Sequence, residues 1–274
     1  MEKKVSIIMP CYNQGVYIEE AVESVKKQTY GNIELVIVND GSTEEFTLKK
    51  LKEIEAAGEE NIKVLNTPNC GLAQARNNGI KASTGHYILP LDGDDKIQET
   101  YVEKAVAAIE KSRQIGVVYC ISSYFGEKTG IWPIPDFSRD LMLIDNLVFC
   151  TALYRREDYN RTKGYNPNMK FGLEDWDFWL SMMELGLDFY RIDEVLFHYR
   201  FKRKSMLREL KERKLLMRAQ AVRNHPQLYL DNLEGIIRTL EKESFVDNLK
   251  LRAAIYRQKV HLKKLDKNTK RHNS

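Results

Sequence analysis

The sequence predicts an α/β fold built on a mostly parallel sheet, and three observations carry that prediction. Short Val- and Ile-rich runs recur through the first half of the chain, the composition of strands buried on both faces. Segments with helical spacing separate them. The connections between the two kinds of segment are short, as in strand–helix–strand units. The chain has 274 residues, 43% hydrophobic and 30% charged. That is enough for one large domain, or for a domain of ~200 residues with an appendage.

Val5–Met9 and Ile33–Val38 read as the first two strands. Between them Ile18, Ala21, Val22 and Val25 recur at i, i+3, i+4 and i+7, which marks a helix with one buried face. A helix near Glu45–Ala57 leads to a strand at Ile62–Leu65, and a helix near Leu72–Ala82 to a strand at Tyr87–Leu91. Val102, Ala105, Val106 and Ile109 mark another helix, and Val117–Ile121 another strand. After Ser122 the rhythm breaks at Trp132-Pro133-Ile134-Pro135, where two prolines exclude regular helix and central strand. Phe149–Tyr154 and Val195–Tyr199 read as further strands, with a helix near Asp175–Leu185. Beyond Ser205, Leu207, Leu210, Leu233, Ile236, Ile237 and Leu240 recur at helical spacing among charges, and Pro226 divides two helical blocks.

Charge divides the chain as well. Residues 200–274 carry 21 Lys and Arg against 8 Asp and Glu, leaving 22 against 31 in the first 199. An acidic body with a basic tail suggests two regions with different partners. No apolar run approaches the ~20 residues that span a bilayer. Val5–Met9 is too short for a signal-peptide core, so a cytoplasmic protein is expected. The four cysteines, Cys11, Cys70, Cys120 and Cys150, lack metal or redox spacing and read as small buried hydrophobes.

In an open α/β sheet ligands bind beyond the carboxyl ends of the strands. Those ends hold Pro10-Cys11-Tyr12-Asn13, Asn39-Asp40-Gly41-Ser42, Asn69-Cys70-Gly71 and Asp92-Gly93-Asp94-Asp95, with Arg76 and Asn77 on a following helix. The Asp92–Asp95 turn is the sharpest feature. Its crowded carboxylates repel one another unless solvated or bridged by a cation. A hard Mg²⁺ or Mn²⁺ ion suits such oxygens; an acidic cap on the helix that begins near Gln98 suits them equally.

The ordered segments resemble glycosyltransferase family 2, whose members have the GT-A fold. The resemblance rests on Val5 to Asn13, Ser24 with Gln28-Thr29-Tyr30, and Val36 to Thr43. It continues through Gly71 to Asn77, Asp92 to Asp95 and Gly172 to Trp179. It covers about residues 4–206, so the chain is expected to divide into a GT-A domain at 1–206 and a basic helical extension at 207–274.

The resemblance implies an inverting transferase that uses a nucleotide-sugar, UDP-linked by preference, with Mn²⁺ or Mg²⁺. Pro10, Tyr12, Asp40 and Asn69 would line the base pocket, Asp40 accepting from a base N–H. Arg76 would lie near the nucleotide, Asp92 would approach ribose or metal, and Asp94 would ligate the cation. Asp175 would be the catalytic base, Glu174 would orient donor or acceptor, and Trp176 would offer a face to a pyranose ring. Glu174, Asp175 and Asp177 also suit the first turn of a helix by its dipole alone.

Family members often carry a histidine a few residues after a Tyr-Arg pair as a metal ligand. Here Tyr199-Arg200 is followed by none, and His198 precedes the pair, as a ligand or as strand-end packing. Failing a histidine, Arg200, Lys202 or Arg203 would steady the diphosphate.

The acceptor is expected to be a growing surface glycan, free or lipid-linked. For the tail the expectations are a solvated amphipathic appendage, contact with anionic lipid, or a homodimer contact through Leu233, Ile236, Ile237 and Leu240. Nucleic acid is not expected, since no reader motif appears, and Lys267–Ser274 is expected to be disordered. A sugar nucleotidyltransferase would carry a glycine-rich basic loop after the first strand. A dinucleotide oxidoreductase would carry Gly-x-Gly-x-x-Gly there, and neither pattern is present. A non-catalytic sensor of nucleotide-sugars is the remaining rival.

Overall fold

The computed structural model describes residues 2–202 and 213–242. The strands are β1 (Val5–Cys11), β2 (Ile33–Asp40), β3 (Ile62–Thr67), β4 (Tyr87–Pro90), β5 (Lys96–Ile97), β6 (Ile115–Gly126), β7 (Gly130–Ile131), β8 (Leu153–Arg155) and β9 (Asp188–Phe201). The helices are α1 (Ile18–Lys26), α2 (Glu45–Ala56), α3 (Leu72–Ala82), α4 (Tyr101–Ile109), α5 (Arg139–Met142), α6 (Arg156–Asn160) and α7 (Glu174–Glu184). After residue 212 come α8 (Lys214–Asn224) and α9 (Pro226–Asp231), then a helical stretch over 233–242.

One mixed sheet runs in the order β3-β2-β1-β4-β8-β6-β9-β5, with β7 paired to β6. β3, β2, β1 and β4 are mutually parallel, and so are β6 and β9. The short β8 enters antiparallel between β4 and β6 and joins the two halves. All seven residues of β1 are buried. That is why its apolar run is continuous rather than alternating.

Glycine sets the depth of α3. A Cβ on Gly79 would stand 2.5 Å from a methyl of Ile8 and 2.8 Å from one of Val38. The helix therefore lies close on β1 and β2, and Arg76, one turn earlier, is drawn into the interior beneath the strand ends.

The elements up to Pro90 fall where the periodicity puts them; later ones differ, and β6 runs 12 residues rather than Val117–Ile121. β9 is 14 residues long rather than Val195–Tyr199, because it runs beside β6 for most of its length. Of the expected Phe149–Tyr154 strand only Leu153 and Tyr154 are in β8, which runs on to Arg155. The two-residue β5, against β9, had no periodic signal to announce it. Cys11 and Cys120 are buried as expected, whereas Cys70 is exposed and Cys150 half-buried, since both stand in loops at the site edge.

The described part of the extension is docked on the body. Met217, Ala221 and Leu228 are buried. Lys214 and Arg218 pair with Asp145 at 2.9 and 3.0 Å. Asn224 Nδ2 donates to Asp177 Oδ1 at 2.6 Å, and buried His225 stands 3.4 Å from Asp177 and 3.0 Å from Glu184. Those carboxylates hold the imidazole above its ordinary range against the opposing pull of burial. The expected boundary at 206 and the expected disorder of Lys267–Ser274 lie outside the described residues. Among the described residues no helix is long and apolar enough to cross a membrane.

Candidate active site

The carboxyl ends of β1, β2 and β4 and the loop after β3 meet at one edge. Asn13 stitches two of these ends together. It has a left-handed backbone (φ 54°), which Asn tolerates. Its Oδ1 accepts the N–H groups of Thr43 and Glu44 at 2.8 and 3.1 Å. Asp40 stitches the next pair: its carboxylate accepts from the N–H of Cys70 at 2.9 Å and of Gly71 at 3.0 Å. Each Asp40 oxygen keeps a second lone pair for another donor. Gly41 permits the close approach of this loop, since at φ 69° a Cβ would lie 2.6 Å from the Asn69 nitrogen. Pro10 is buried at the end of β1, while Tyr12 (49%) and Asn69 are exposed.

A cavity of about 760 Å³ opens between the acidic turn and α7; Pro10, Tyr12, Asp40, Asn69 and Asp94 are not among its lining residues. Asp92, Arg76, Glu174 and Asp175 line one end; Trp132, Phe149 and Tyr199 line the other. Arg76 is the keystone. It is 1% exposed; its Nη2 donates to Asp92 Oδ1 at 2.7 Å and its Nη1 to Glu174 Oε1. One buried guanidinium therefore locks the turn after β4 to the first residue of α7. Removing such a cation would strand two carboxylates in a poorly solvated place. Cys150 supports the same turn, its thiol donating to Asp92 Oδ2 at 3.6 Å. Burial and the neighbouring Asp92 charge raise this thiol well above its ordinary range, so it stays a donor.

Asp175 faces the cavity. Burial, then the Glu174 charge, push its carboxyl up to about 7, against the pull of Arg76. Asn146 Nδ2 donates to its Oδ2 at 3.1 Å and the Trp176 N–H to its Oδ1 at 2.8 Å. Asn146 is itself aimed by the Val148 N–H, which donates to its Oδ1 at 3.2 Å. A carboxyl that titrates near neutrality, held by two donors at a cavity wall, has the properties of a general base. The entry to α7 is strained: Leu173 has φ 63°, a cost that a non-glycine residue bears only where packing imposes it.

The acidic turn is asymmetric. Asp95 is 2% exposed, accepts the Arg200 N–H at 2.7 Å and is raised well above the carboxylate range by burial, then by Asp94. Asp94 is also raised by burial, an effect opposed by the ammonium of Lys202, with which it forms an ion pair. Among the described residues no group of three or more His, Cys, Asp or Glu converges as a metal cage.

One expectation needs correction, and the sequence leaves His198 open between ligation and strand-end packing. Trp176 is 1% exposed, and its indole N–H donates to the Met142 carbonyl at 2.7 Å, so it is core and offers no face to a sugar. The open aromatic surface comes from Trp132 instead, 4.9 Å from Tyr199 and 6.4 Å from Phe149 between ring centres. His198 is held by Ser123 Oγ at 2.7 Å and stands beside Lys96 across the β5–β9 ladder. Its neighbours Phe197 and Tyr199 line the cavity. Strand alternation turns His198 from the cavity to the other face of β9, where Ser123 holds it and the Phe125 ring lies 6.5 Å from it between ring centres. Burial and Lys96 lower its imidazole.

Sequence reasoning missed Asn146, Cys150 and Lys214, which also lines the cavity. The Trp132-Pro133 break was the one available sign that this region differs from the sheet.

This edge of strand ends, with its acidic turn and tethered helix, was compared with known proteins. The sequence model described as "Glycosyl transferase family 2" matches residues 6–177. The chain belongs to glycosyl transferase family 2. Consistent with this, it is 34% identical over 214 residues to EpsE of Bacillus subtilis (strain 168), named as a glycosyltransferase. That match covers 74% of this chain and 76% of EpsE. Two solved structures share the fold. The mannosyltransferase PcManGT of Pyrobaculum calidifontis, in complex with GDP-Man and Mn²⁺, superposes with a TM-score of 0.66 at 19% identity. The match covers 86% of this chain and 72% of that one. TarS 1–349 of S. aureus, in complex with UDP-GlcNAc, gives 0.61 at 19% identity, covering 83% and 73%. This family 2 chain thus has the α/β GT-A fold, a mostly parallel sheet flanked by helices, and glycosyltransferase activity.

Proposed function

We propose that the protein moves a sugar, with inversion, from a nucleoside diphosphate, UDP by preference, to a hydroxyl of a glycan acceptor. The carrying observation is Asp175, raised to about 7 at the cavity wall and tied to the donor side through Glu174, Arg76 and Asp92. The acceptor hydroxyl attacks the anomeric carbon from the face opposite the diphosphate. The new C–O bond forms as the carbon–phosphate-oxygen bond breaks. The proton passes to the Asp175 carboxylate and the electron pair leaves with the diphosphate. The anomeric carbon gains oxocarbenium character, as in glycoside hydrolysis. Glu174, held by Arg76, orients the sugar, and Trp132 supplies the apolar surface that the acceptor crosses.

A base N–H donating to Asp40 would exploit its remaining lone pairs, with Tyr12 and Asn69 bordering the base. A divalent cation at Asp94 would stabilise the charge that builds on the leaving diphosphate. The donor set fits a cation completed by the substrate, because Mg²⁺ and Mn²⁺ commonly take one or two carboxylates with phosphate oxygens and water. His198 is not needed for such a site.

A thermal-shift panel of UDP, GDP, CDP and dTDP, with and without Mn²⁺, tests the donor side. A ligand at 100 times its Kd adds about 2.7 kcal/mol of stability. The reading predicts the largest shift for UDP with Mn²⁺ and its loss in Asp94→Ala. A panel with no shift, or donor hydrolysis that persists undiminished in Asp175→Asn, would overturn it.

A further inference from the structure

The cationic neighbour of Asp94 is Lys202, one residue beyond β9. Its ammonium pairs with Asp94 Oδ2 and lies 4.9 Å over the Tyr17 ring. Arg200 clamps the same turn: its Nε donates to the Asp94 carbonyl at 2.7 Å and its backbone N–H to Asp95 Oδ1 at 2.7 Å. Arg200 also pairs with Glu20, and its guanidinium stands 4.7 Å over Tyr17 and 4.3 Å over Phe125. The guanidinium is thus pinned on several sides, whereas Lys202 ends in a compact ammonium on a flexible four-carbon stem. The Asp94 and Lys202 side chains remain 14% and 24% exposed, so the pair is partly open to solvent instead of being sealed.

We propose that Lys202 is a diphosphate-binding residue that exchanges partners. Before the donor arrives its ammonium compensates the Asp94 carboxylate; when the donor binds, the ammonium moves to a diphosphate oxygen and leaves Asp94 to the cation. This rests on the reading of Asp94 given above. The physical argument is one of charge. A half-buried carboxylate needs a counter-charge, and an incoming diphosphate–cation pair supplies a new counter-charge to Asp94 together with a stronger anion for Lys202. Two consequences follow. The protein should hold a diphosphate without any divalent ion, and Lys202 should compete with that ion for Asp94.

The test is titration calorimetry of inorganic pyrophosphate and of UDP into the full chain, in EDTA and in Mn²⁺, for wild type, Lys202→Met and Lys202→Arg. Lys104→Met, at an exposed pair with Glu194, controls for bulk charge. Binding of Mn²⁺ alone is followed by electron paramagnetic resonance. We expect wild type to bind pyrophosphate in EDTA, and Lys202→Met to weaken it about tenfold or more, as loss of a charge-assisted contact does. Lys202→Arg should hold within a few-fold, Lys104→Met should change nothing, and Mn²⁺ alone should bind several-fold tighter to Lys202→Met.

Binding of pyrophosphate and UDP that needs Mn²⁺ in wild type would overturn the proposal and leave the Asp94 cation site standing. An unchanged affinity in Lys202→Met would overturn it equally. If UDP binds no better than pyrophosphate, the Asp40 base pocket fails and Lys202 survives. If neither binds under any condition, the donor site and this inference fall together. Circular dichroism of Lys202→Met, with Lys202→Arg as the folded alternative, separates loss of binding from loss of fold.

Discussion

The proposed donor side and the proposed acceptor side are built from different materials. The donor side is the end of a parallel sheet: strand ends stitched by Asn13 and Asp40, each bonding backbone N–H groups of a neighbouring loop. The acceptor side is a collection of loop residues, Trp132, Phe149 and Asn146, held by ring packing and by side chains from distant elements. Arg76 ties the acidic turn to the start of α7. A sheet edge repeats locally and can be fixed by short motifs, whereas a loop-built wall is free to vary, as binding surfaces on rigid scaffolds commonly do.

The largest break should come from Asp175→Asn, which removes the proton acceptor while keeping its shape. Transfer should fall by roughly 10²- to 10⁴-fold, with UDP affinity unchanged in calorimetry. The same residue gives a pH prediction. Its carboxyl is raised to about 7, so the base is neutral below that pH and charged above it, and kcat/KM should rise with pH through a midpoint near 7. For stability the sign runs the other way. A carboxyl raised by folding contributes fully below its unfolded value and loses that contribution as pH rises through 7. Asp175→Asn should therefore melt higher than wild type at pH 8, with little difference at pH 4. A variant that melts lower at pH 8 would contradict the burial of this charge.

Arg76→Met tests the junction. Stranding Asp92 and Glu174 should cost about 3–5 kcal/mol, read by urea unfolding, and should impair both UDP binding and transfer. An effect confined to transfer would mean that the acidic turn and α7 are not mechanically joined. Gly41→Ala acts on the donor side alone. The left-handed strain is about 1–2 kcal/mol, and the clash with Asn69 adds to it, so UDP affinity should fall while any acceptor KM measured at saturating donor stays put. Trp132→Ala should do the reverse and give the smallest change, an acceptor KM raised a few-fold to tenfold with unchanged UDP affinity. If Trp132→Ala weakens UDP instead, the division into two sides is wrong.

Most of the donor side was legible beforehand. Val5–Met9, Ile33–Val38 and the helix through Ile18 and Val25 are local patterns, and buried parallel strands announce themselves as unbroken apolar runs. Asp40, Arg76, Asp92 and Asp94 could be picked out because each follows a strand end or opens the next helix. The acceptor wall left almost no trace, since Trp132, Asn146 and Cys150 are brought together across long stretches of chain with no periodicity of their own.

By itself, then, the sequence determined the order of strands and helices, the edge at which polar groups gather, and the identity of the acidic turn. Tertiary structure decided which way the side chains on those elements face. Trp176 follows Asp175, yet about 100° of helical rotation sends it into the core while Asp175 meets the cavity. His198 lies between two cavity-lining residues, and the period-two pleat of β9 turns it away. Lys202 reaches Asp94 because β5, directly after the acidic turn, pairs antiparallel with β9 and brings the basic end of that strand to the turn. Periodicity is a local property of the chain, whereas the choice of buried face depends on what packs opposite, and only the folded molecule supplies that.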